Sequence, residues 1–206
     1  MDEDEIPLRE EDIDPDPFRQ FERWFDDAVD VGASQPEAAA VATATPEGAP
    51  SVRMVLFKRT GREGFVFFSN YESRKGRELA ANPRASLMFH WEPLGRVVRI
   101  EGPVARTTRE ESVAYAHSRG RGSQLSALAS PQSQPIPSRE WLEERAGELA
   151  GRYPPSGEIP VSDSWGGYRV EPERFEFWQH RISRMHDRLV YMPASGGGWK
   201  VERLAP

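Results

Sequence analysis

Short apolar and β-branched runs follow one another along much of this chain, separated by turn signals and not by regular helical crossovers. That succession limits the fold more than any other feature. Residues 38–45 and 51–59 flank Pro46-Glu47-Gly48, a turn signal. Residues 64–69, 84–91 and 96–107 read as further strands. Near the C-terminus come a strand from 167–170 extending to 177, another over 187–192, and a third over 199–204, the last two joined by a glycine-rich turn at 196–198. A doubly wound parallel sheet needs a crossover helix between paired strands. The pattern therefore predicts a mainly β fold with added helices (α+β), with six to eight mostly antiparallel strands forming a barrel.

Helices are expected at the points where the period changes. Phe18, Phe21, Trp24, Phe25, Ala28 and Val29 recur at helical spacing and stop near Gly32. A short helix runs from Ser73 to Asn82-Pro83. Thr108 and Glu111 have capping-box spacing and open a helix through about Ser118. A small helical piece covers 123–129, a proline-bearing loop 131–137, and a helix 138–152. Residues 1–16 are acidic, with Pro7 and Pro15, and read as a mobile or loosely docked arm before a single domain over 17–206.

Composition excludes several functions. The formal net charge of -6 argues against nucleic-acid binding. The absence of cysteine removes disulfides, thiolate metal sites and Cys nucleophiles. His90, His117 and His180 show no metal-ligand spacing. No apolar run approaches the roughly 18 residues of a membrane span. Acidic residues 2–5 stand where a signal peptide would be positive, so the expected location is the cytoplasm.

Several stretches carry residue types suited to chemistry. At Ser69-Asn70-Tyr71-Glu72-Ser73-Arg74-Lys75 a strand ends and a helix begins with Ser, Arg and Lys in its first turn. Backbone N–H groups at a helix start attract anions, and cations are otherwise disfavoured there. The segment reads either as a phosphate site or as a solvated surface turn. Arg53 and Lys58 sit in or beside the apolar run 52–57. A strand this apolar is expected to be largely buried, which leaves Arg53 in need of a partner, while Lys58 can reach solvent from the strand end. Tyr115 and Arg119, four apart on an expected helix, share a face, and Ser123 lies four further on. That set suits a phosphate monoester, since Arg offers forked donors. A solvent-facing helix with one buried Tyr is the plainer alternative.

The most unusual stretch is 175–188, FEFWQHRISRMHDR. If 184–188 is extended, Arg184, His186 and Arg188 line one face, which suits an anionic or electron-rich planar ligand. His186 can move protons near neutral pH, although a hydrogen-bonded structural histidine is the commoner role.

This stretch resembles the C-terminal signature of the pyridoxamine (pyridoxine) 5′-phosphate oxidase family: an aromatic-flanked Glu, Trp-Gln, four variable residues, then Arg-Met/Leu-His-Asp-Arg. The similarity continues through DPFRQFERWF, SVRMVLFK, FVFFSNYESRKGRELAANPRASLMFHW, AYAHSRGRGSQLSALASPQS and WGGYRV, and spans about 8–206. The resemblance implies an FMN-binding split β-barrel working as a homodimer, with FMN at the interface and each active site drawn from both chains. Matching the family's flavin contacts are Arg53, Met54, Val55, Leu56, Phe57 and Lys58, then Phe68 and Ser69, Arg74 and Lys75 at the FMN phosphate, Gln132 and Ser133, and Trp178 and Arg188. Lys58, Tyr115, Arg119 and Ser123 match the pocket for a substrate 5′-phosphate. Arg184, Met185 and His186 match the residues around the pyridine ring, with Arg184 and His186 as the catalytic pair.

The implied reaction oxidises pyridoxamine or pyridoxine 5′-phosphate to pyridoxal 5′-phosphate and reduces O2 to H2O2. No metal, nucleic acid or membrane takes part. The sequence departs from the family pattern in three places. Val97 replaces a Gln that bonds the flavin, His180-Arg181-Ile182-Ser183 replaces a Gly-containing polar turn, and acidic residues 1–5 stand where relatives carry an Arg-x-x-Tyr segment. Two rivals remain at this level: an FMN split-barrel oxidase acting on a phenazine precursor, and a low-turnover protein that binds FMN or pyridoxal phosphate.

Overall fold

The computed structural model describes residues 7–58 and 62–206. Its first helix, α1 (Pro17–Asp30), starts where Asp16 accepts a hydrogen bond from the Phe18 amide and Pro17 fills the first turn. Then come β1 (Ala38–Ala44), β2 (Pro50–Lys58), β3 (Phe65–Asn70), α2 (Arg74–Ala81), β4 (Arg84–Trp91) and β5 (Arg96–Arg106). Three helices follow: α3 (Arg109–Ser118), α4 (Arg121–Ala129) and α5 (Arg139–Arg152). The chain ends with β6 (Trp165–Val170), β7 (Arg174–Gln179), β8 (Asp187–Pro193) and β9 (Trp199–Arg203).

Among the described residues every strand pairing is antiparallel. The order β4-β1-β2-β3-β6-β5 closes through a β4–β5 pairing into a six-stranded barrel. β7, β8 and β9 extend outward from β5. The fold is the expected mainly β barrel with helices added, with nine strands where six to eight were predicted.

The extra strand comes from the stretch read as one strand, 167–177. It is two: β6 pairs with β3 and the far end of β5, while β7 pairs with β8 and the near part of β5. The chain switches neighbours at Glu171-Pro172-Glu173, crossing so close to Gly102 that a Cβ there would lie 1.8 Å from the Glu171 carbonyl oxygen. Proline supplies no N–H for a continuous ladder.

The core is aromatic. Phe21 of α1 meets Phe65 edge-on at 4.9 Å and Phe89 at 5.0 Å, and Phe57 joins the same cluster. Phe21, Trp24 and Ala28 are buried as the helical period requires, whereas Val29, expected on that stripe, faces solvent. Residues 1–6 of the expected acidic arm and Arg59 of the expected second strand lie outside the described residues. Residues 8–16 are docked on the β8–β9 hairpin. Leu8 is buried, and Arg203 donates to Glu10 and Asp187 at 2.8 and 2.7 Å.

Candidate active site

β2 is built against expectation. Its apolar residues Val52, Met54 and Leu56 point outward and are 67%, 64% and 48% exposed. The alternate residues Ser51, Arg53, Val55 and Phe57 point inward. The run 52–57 is therefore not the largely buried strand that its composition predicts. The pleat that buries Phe57 necessarily turns its neighbours out. Met54, Ala40 and Met88 form one cross-strand row over β2, β1 and β4, and with Val52 and Leu56 the two methionines make an exposed apolar strip.

Inside, Arg53 has the partners its position requires. It donates to Thr43 Oγ1 at 2.6 Å, to Ser51 Oγ at 2.5 Å and to Glu78 Oε2 at 3.5 Å. Glu78, on α2, also accepts from Arg74 Nε at 2.9 Å, Ser51 Oγ at 2.5 Å and the Thr43 hydroxyl. Burial pushes the Glu78 carboxyl up, but the hydrogen bonds from Ser51, Thr43 and Arg74 outweigh it and hold the group at about 2.

Ser73 caps α2 by accepting from the Gly76 amide at 3.3 Å, so the first turn of α2 begins where β3 ends. This places Lys75 inside the protein with only 6% exposure. Its ammonium donates to Ser69 Oγ at 2.9 Å, Gln132 Oε1 at 3.3 Å and Ser73 Oγ at 3.5 Å. All three acceptors are neutral. Burial, then the nearby Arg53 charge, pull the Lys75 pKa down to about 8, with Glu78 opposing. A buried ammonium among neutral acceptors gains by pairing with an anion. Gln132 arrives from the loop after α4, and Ser133 beside it adopts φ +66°.

Ser69 and Gln132 also line a cavity of about 500 Å³, with Leu56, Phe68, Tyr115, Arg119, Ser123 and Trp165. Phe68 stacks on Tyr115 at 3.8 Å, and the Tyr115 and Trp165 planes lie 5° apart. Cations rest on these rings: the Arg119 guanidinium lies 5.2 Å from the Trp165 centroid and Lys58 Nζ 5.8 Å from that of Tyr115. The helix-face argument for Tyr115, Arg119 and Ser123 fails in its mechanism. Arg119 is the C-cap of α3, with extended backbone at φ −79°, ψ 151°, and Ser123 belongs to α4. The break at Arg119-Gly120 still turns all three side chains into one cavity.

Sequence reasoning named neither Trp165 nor Glu78. The signal for Trp165 was the glycine pair after it. A Cβ at Gly166 would lie 2.0 Å from the Tyr71 hydroxyl oxygen and 2.7 Å from Ser112 Oγ of α3, and one at Gly167 2.5 Å from Thr107 Oγ1 just before that helix, so the start of α3 packs closely on β6 here.

The C-terminal residues gather elsewhere. Trp178 and Arg188 are cross-strand partners. Arg188 donates to buried Glu176 at 2.8 Å, as does Arg99 from the other side. The His186 ring lies 4.5 Å from that of Trp178, and its Nδ1 accepts from the Arg181 amide at 3.1 Å. The expectation that 184–188 is extended does not hold. Ser183 and Arg184 take φ +56° and +61° in a 3-10 turn, and β8 begins only at Asp187. Non-glycine residues adopt this left-handed conformation at a cost of about 1 kcal/mol or more each. Arg184 and Met185 are exposed. None of Trp178, Arg184, Met185, His186 or Arg188 lines the Tyr115–Arg119 cavity of the same chain.

A family model described as pyridoxamine 5′-phosphate oxidase matches residues 25–152. The chain belongs to the pyridoxamine 5′-phosphate oxidase family. A second model, described as the pyridoxine 5′-phosphate oxidase C-terminal dimerisation region, matches residues 165–206, which hold β6 to β9. Pyridoxine/pyridoxamine 5′-phosphate oxidase of Rubrobacter xylanophilus is 53% identical over 199 residues, covering 97% of this chain and 91% of the relative. The Bordetella pertussis protein of the same name is 54% identical over 200 residues, covering 97% and 93%. Among solved structures, PhzG from Burkholderia lata, in complex with tetrahydrophenazine-1-carboxylic acid, has a TM-score of 0.90 at 31% identity and covers 98% of both chains. Among the described residues of this family member, no helix is long and apolar enough to cross a membrane.

Proposed function

We propose that this chain is an FMN-dependent oxidase that converts pyridoxine or pyridoxamine 5′-phosphate to pyridoxal 5′-phosphate, with O2 reduced to H2O2. One observation carries the reading: Lys75, grouped with Arg53 around Glu78, donates to Ser69 and Gln132, and these two residues line the same cavity as Arg119 and as Tyr115, on whose ring Lys58 rests. Two phosphorylated molecules have to meet in this reaction, and the cavity offers each phosphate its own cations.

The residues present fit FMN. Lys75 is buried and, among the described residues, has no carboxylate within ion-pair distance; the Ser69 and Gln132 it donates to line the cavity. In this assignment Arg53, Arg74 and Lys75 hold the cofactor phosphate, with Ser133 flanking Gln132. Met54, Val55, Leu56, Phe57 and Phe68 would contact the flavin, as would Trp178 and Arg188. Bound FMN would supply the hydride acceptor, and O2 would take the electrons onward. Lys58, Tyr115, Arg119 and Ser123 would grip the substrate phosphate and so fix the reacting carbon in register. Arg184, Met185 and His186 would flank the pyridine ring. Val97 pairs with Trp178 across the strands and offers no hydrogen bond where the family pattern has Gln.

We assign the uncovered strip of Val52, Met54, Leu56 and Met88 to a second copy of the chain. Such an exposed apolar patch marks an interface, and the matched C-terminal region is described as a dimerisation region. A homodimer also resolves the separation within one chain, because the partner's C-terminal turn can complete the cavity. A cytoplasmic setting suits such an enzyme.

The test is a visible spectrum of the purified protein followed by peroxide measurement with both phosphorylated vitamers and with unphosphorylated pyridoxine. The expected result is a flavin spectrum with peroxide from the phosphorylated compounds only. FMN-loaded protein without turnover would indicate a binding protein. Turnover of a phenazine precursor alone would indicate the chemistry of the 31% identical relative.

A further inference from the structure

We propose that Glu78 is the positioning residue of the cofactor-phosphate site: a built-in counterion that fixes Arg53 and Arg74 in place before the cofactor arrives. The inference rests on the FMN reading above. A carboxylate beside a phosphate site is at first sight misplaced, because like charges repel. Its contacts explain it. Glu78 is 6% exposed and is reached by two arginines and two hydroxyls. Thr43 and Ser51 each accept from Arg53, at 2.6 and 2.5 Å, and each donate to Glu78. A guanidinium can only donate and an ionised carboxylate can only accept, so the direction of every bond in this ring is fixed. Arg53 is thereby tethered through Thr43, Ser51 and Glu78, and Arg74 is paired with Glu78 one turn on in its own helix.

The charges also match. Arg53, Arg74 and protonated Lys75, less the one carboxylate, leave two positive charges for a phosphate monoester, which carries about −1.5 to −2 at neutral pH. Glu78 further supports the charge on Lys75, which Arg53 weakens.

The test is to titrate apoprotein with FMN and with riboflavin by flavin fluorescence, from about pH 6 to about pH 10. Glu78→Gln is expected to bind FMN on the order of tenfold or more weakly and riboflavin unchanged. Its FMN affinity should begin to fall at a lower pH than that of the wild type, because Lys75 loses a charge that helps hold its proton. Glu78→Asp, with the charge kept but the reach shortened, should also weaken FMN. Simple charge counting predicts the reverse: tighter FMN binding by Glu78→Gln and wild-type binding by Glu78→Asp. That result would overturn the proposal. Should Glu78→Gln fail to fold, Ser51→Ala removes one bond to the carboxylate with every charge in place, and unchanged FMN affinity there would equally overturn it. A wild-type apoprotein that does not prefer FMN over riboflavin would sink the FMN reading itself, and the inference with it.

Discussion

Lys75 and Arg53 are enclosed among hydroxyls, an amide oxygen and the carboxylate of Glu78, whereas Lys58 and Arg119 rest on aromatic faces and, among the described residues, have no carboxylate partner. Both regions gather cations, and they do so by opposite means. The α2 site holds Lys75 buried and ties Arg53 and Arg74 to Glu78, so its cations are positioned before any ligand comes. The α3–α4 site keeps its cations at the wall of an open cavity, held by rings that release them cheaply, at about 0.5–2 kcal/mol. A site whose cations are fixed in advance suits a ligand that stays. An open site suits one that arrives and leaves at every turnover. On this account the cofactor phosphate belongs to the first and the substrate phosphate to the second.

The largest effect expected to break this contrast is Lys75→Ala. It removes a buried charge-assisted donor and should weaken FMN binding by roughly 100-fold, the upper part of the 1.5–3 kcal/mol range for such bonds, as measured by flavin fluorescence on apoprotein. The pH dependence follows from the same group. Lys75 in the free protein keeps its proton below about 8, and a bound phosphate raises that value. FMN affinity is therefore full below about pH 8 and falls as pH rises from there toward the bound-state value. Affinity that is flat from about pH 7 to about pH 10 would remove Lys75 from the site.

Arg119→Ala is the next largest. It should raise the KM for the phosphorylated substrate by more than about tenfold while FMN binding stays unchanged. Equal losses of both would show that the two regions act as one. The smallest effect isolates the aromatic support: Trp165→Phe keeps a ring under Arg119 with a weaker quadrupole and should raise KM by about two- to fivefold, with kcat unaffected.

How far these regions were legible in the sequence differs for physical reasons. The α2 site could be read locally, because the cap Ser73, the helix start and Lys75 are contiguous. Glu78 could not, since its role appears only once β1 and β2 bring Thr43 and Ser51 beneath it. For the α3–α4 site, Tyr115, Arg119 and Ser123 were singled out by their spacing of four, yet they meet because the helix breaks at Arg119-Gly120. The barrel was legible from alternating short runs and turns. The split between β6 and β7 was not, because a change of pairing partner leaves little local mark beyond Pro172. The inverted face of β2 was hidden for a deeper reason. An apolar strand signals that it will be covered, without saying whether its own chain or another does the covering. At 184–188, read as extended from its alternation, the chain is instead bent by two residues in left-handed conformation, Ser183 and Arg184, whose identities give no warning.

The most direct test of two separate phosphate sites is a crystal structure with FMN and pyridoxal 5′-phosphate both bound. The account predicts one phosphorus atom against Lys75, Arg53 and Arg74, a second between Lys58, Arg119 and Ser123, and the pyridine ring covered by Arg184 and His186 of the other subunit. Both phosphates held by one cation set, or the vitamer's phosphate bound away from Arg119, would contradict it.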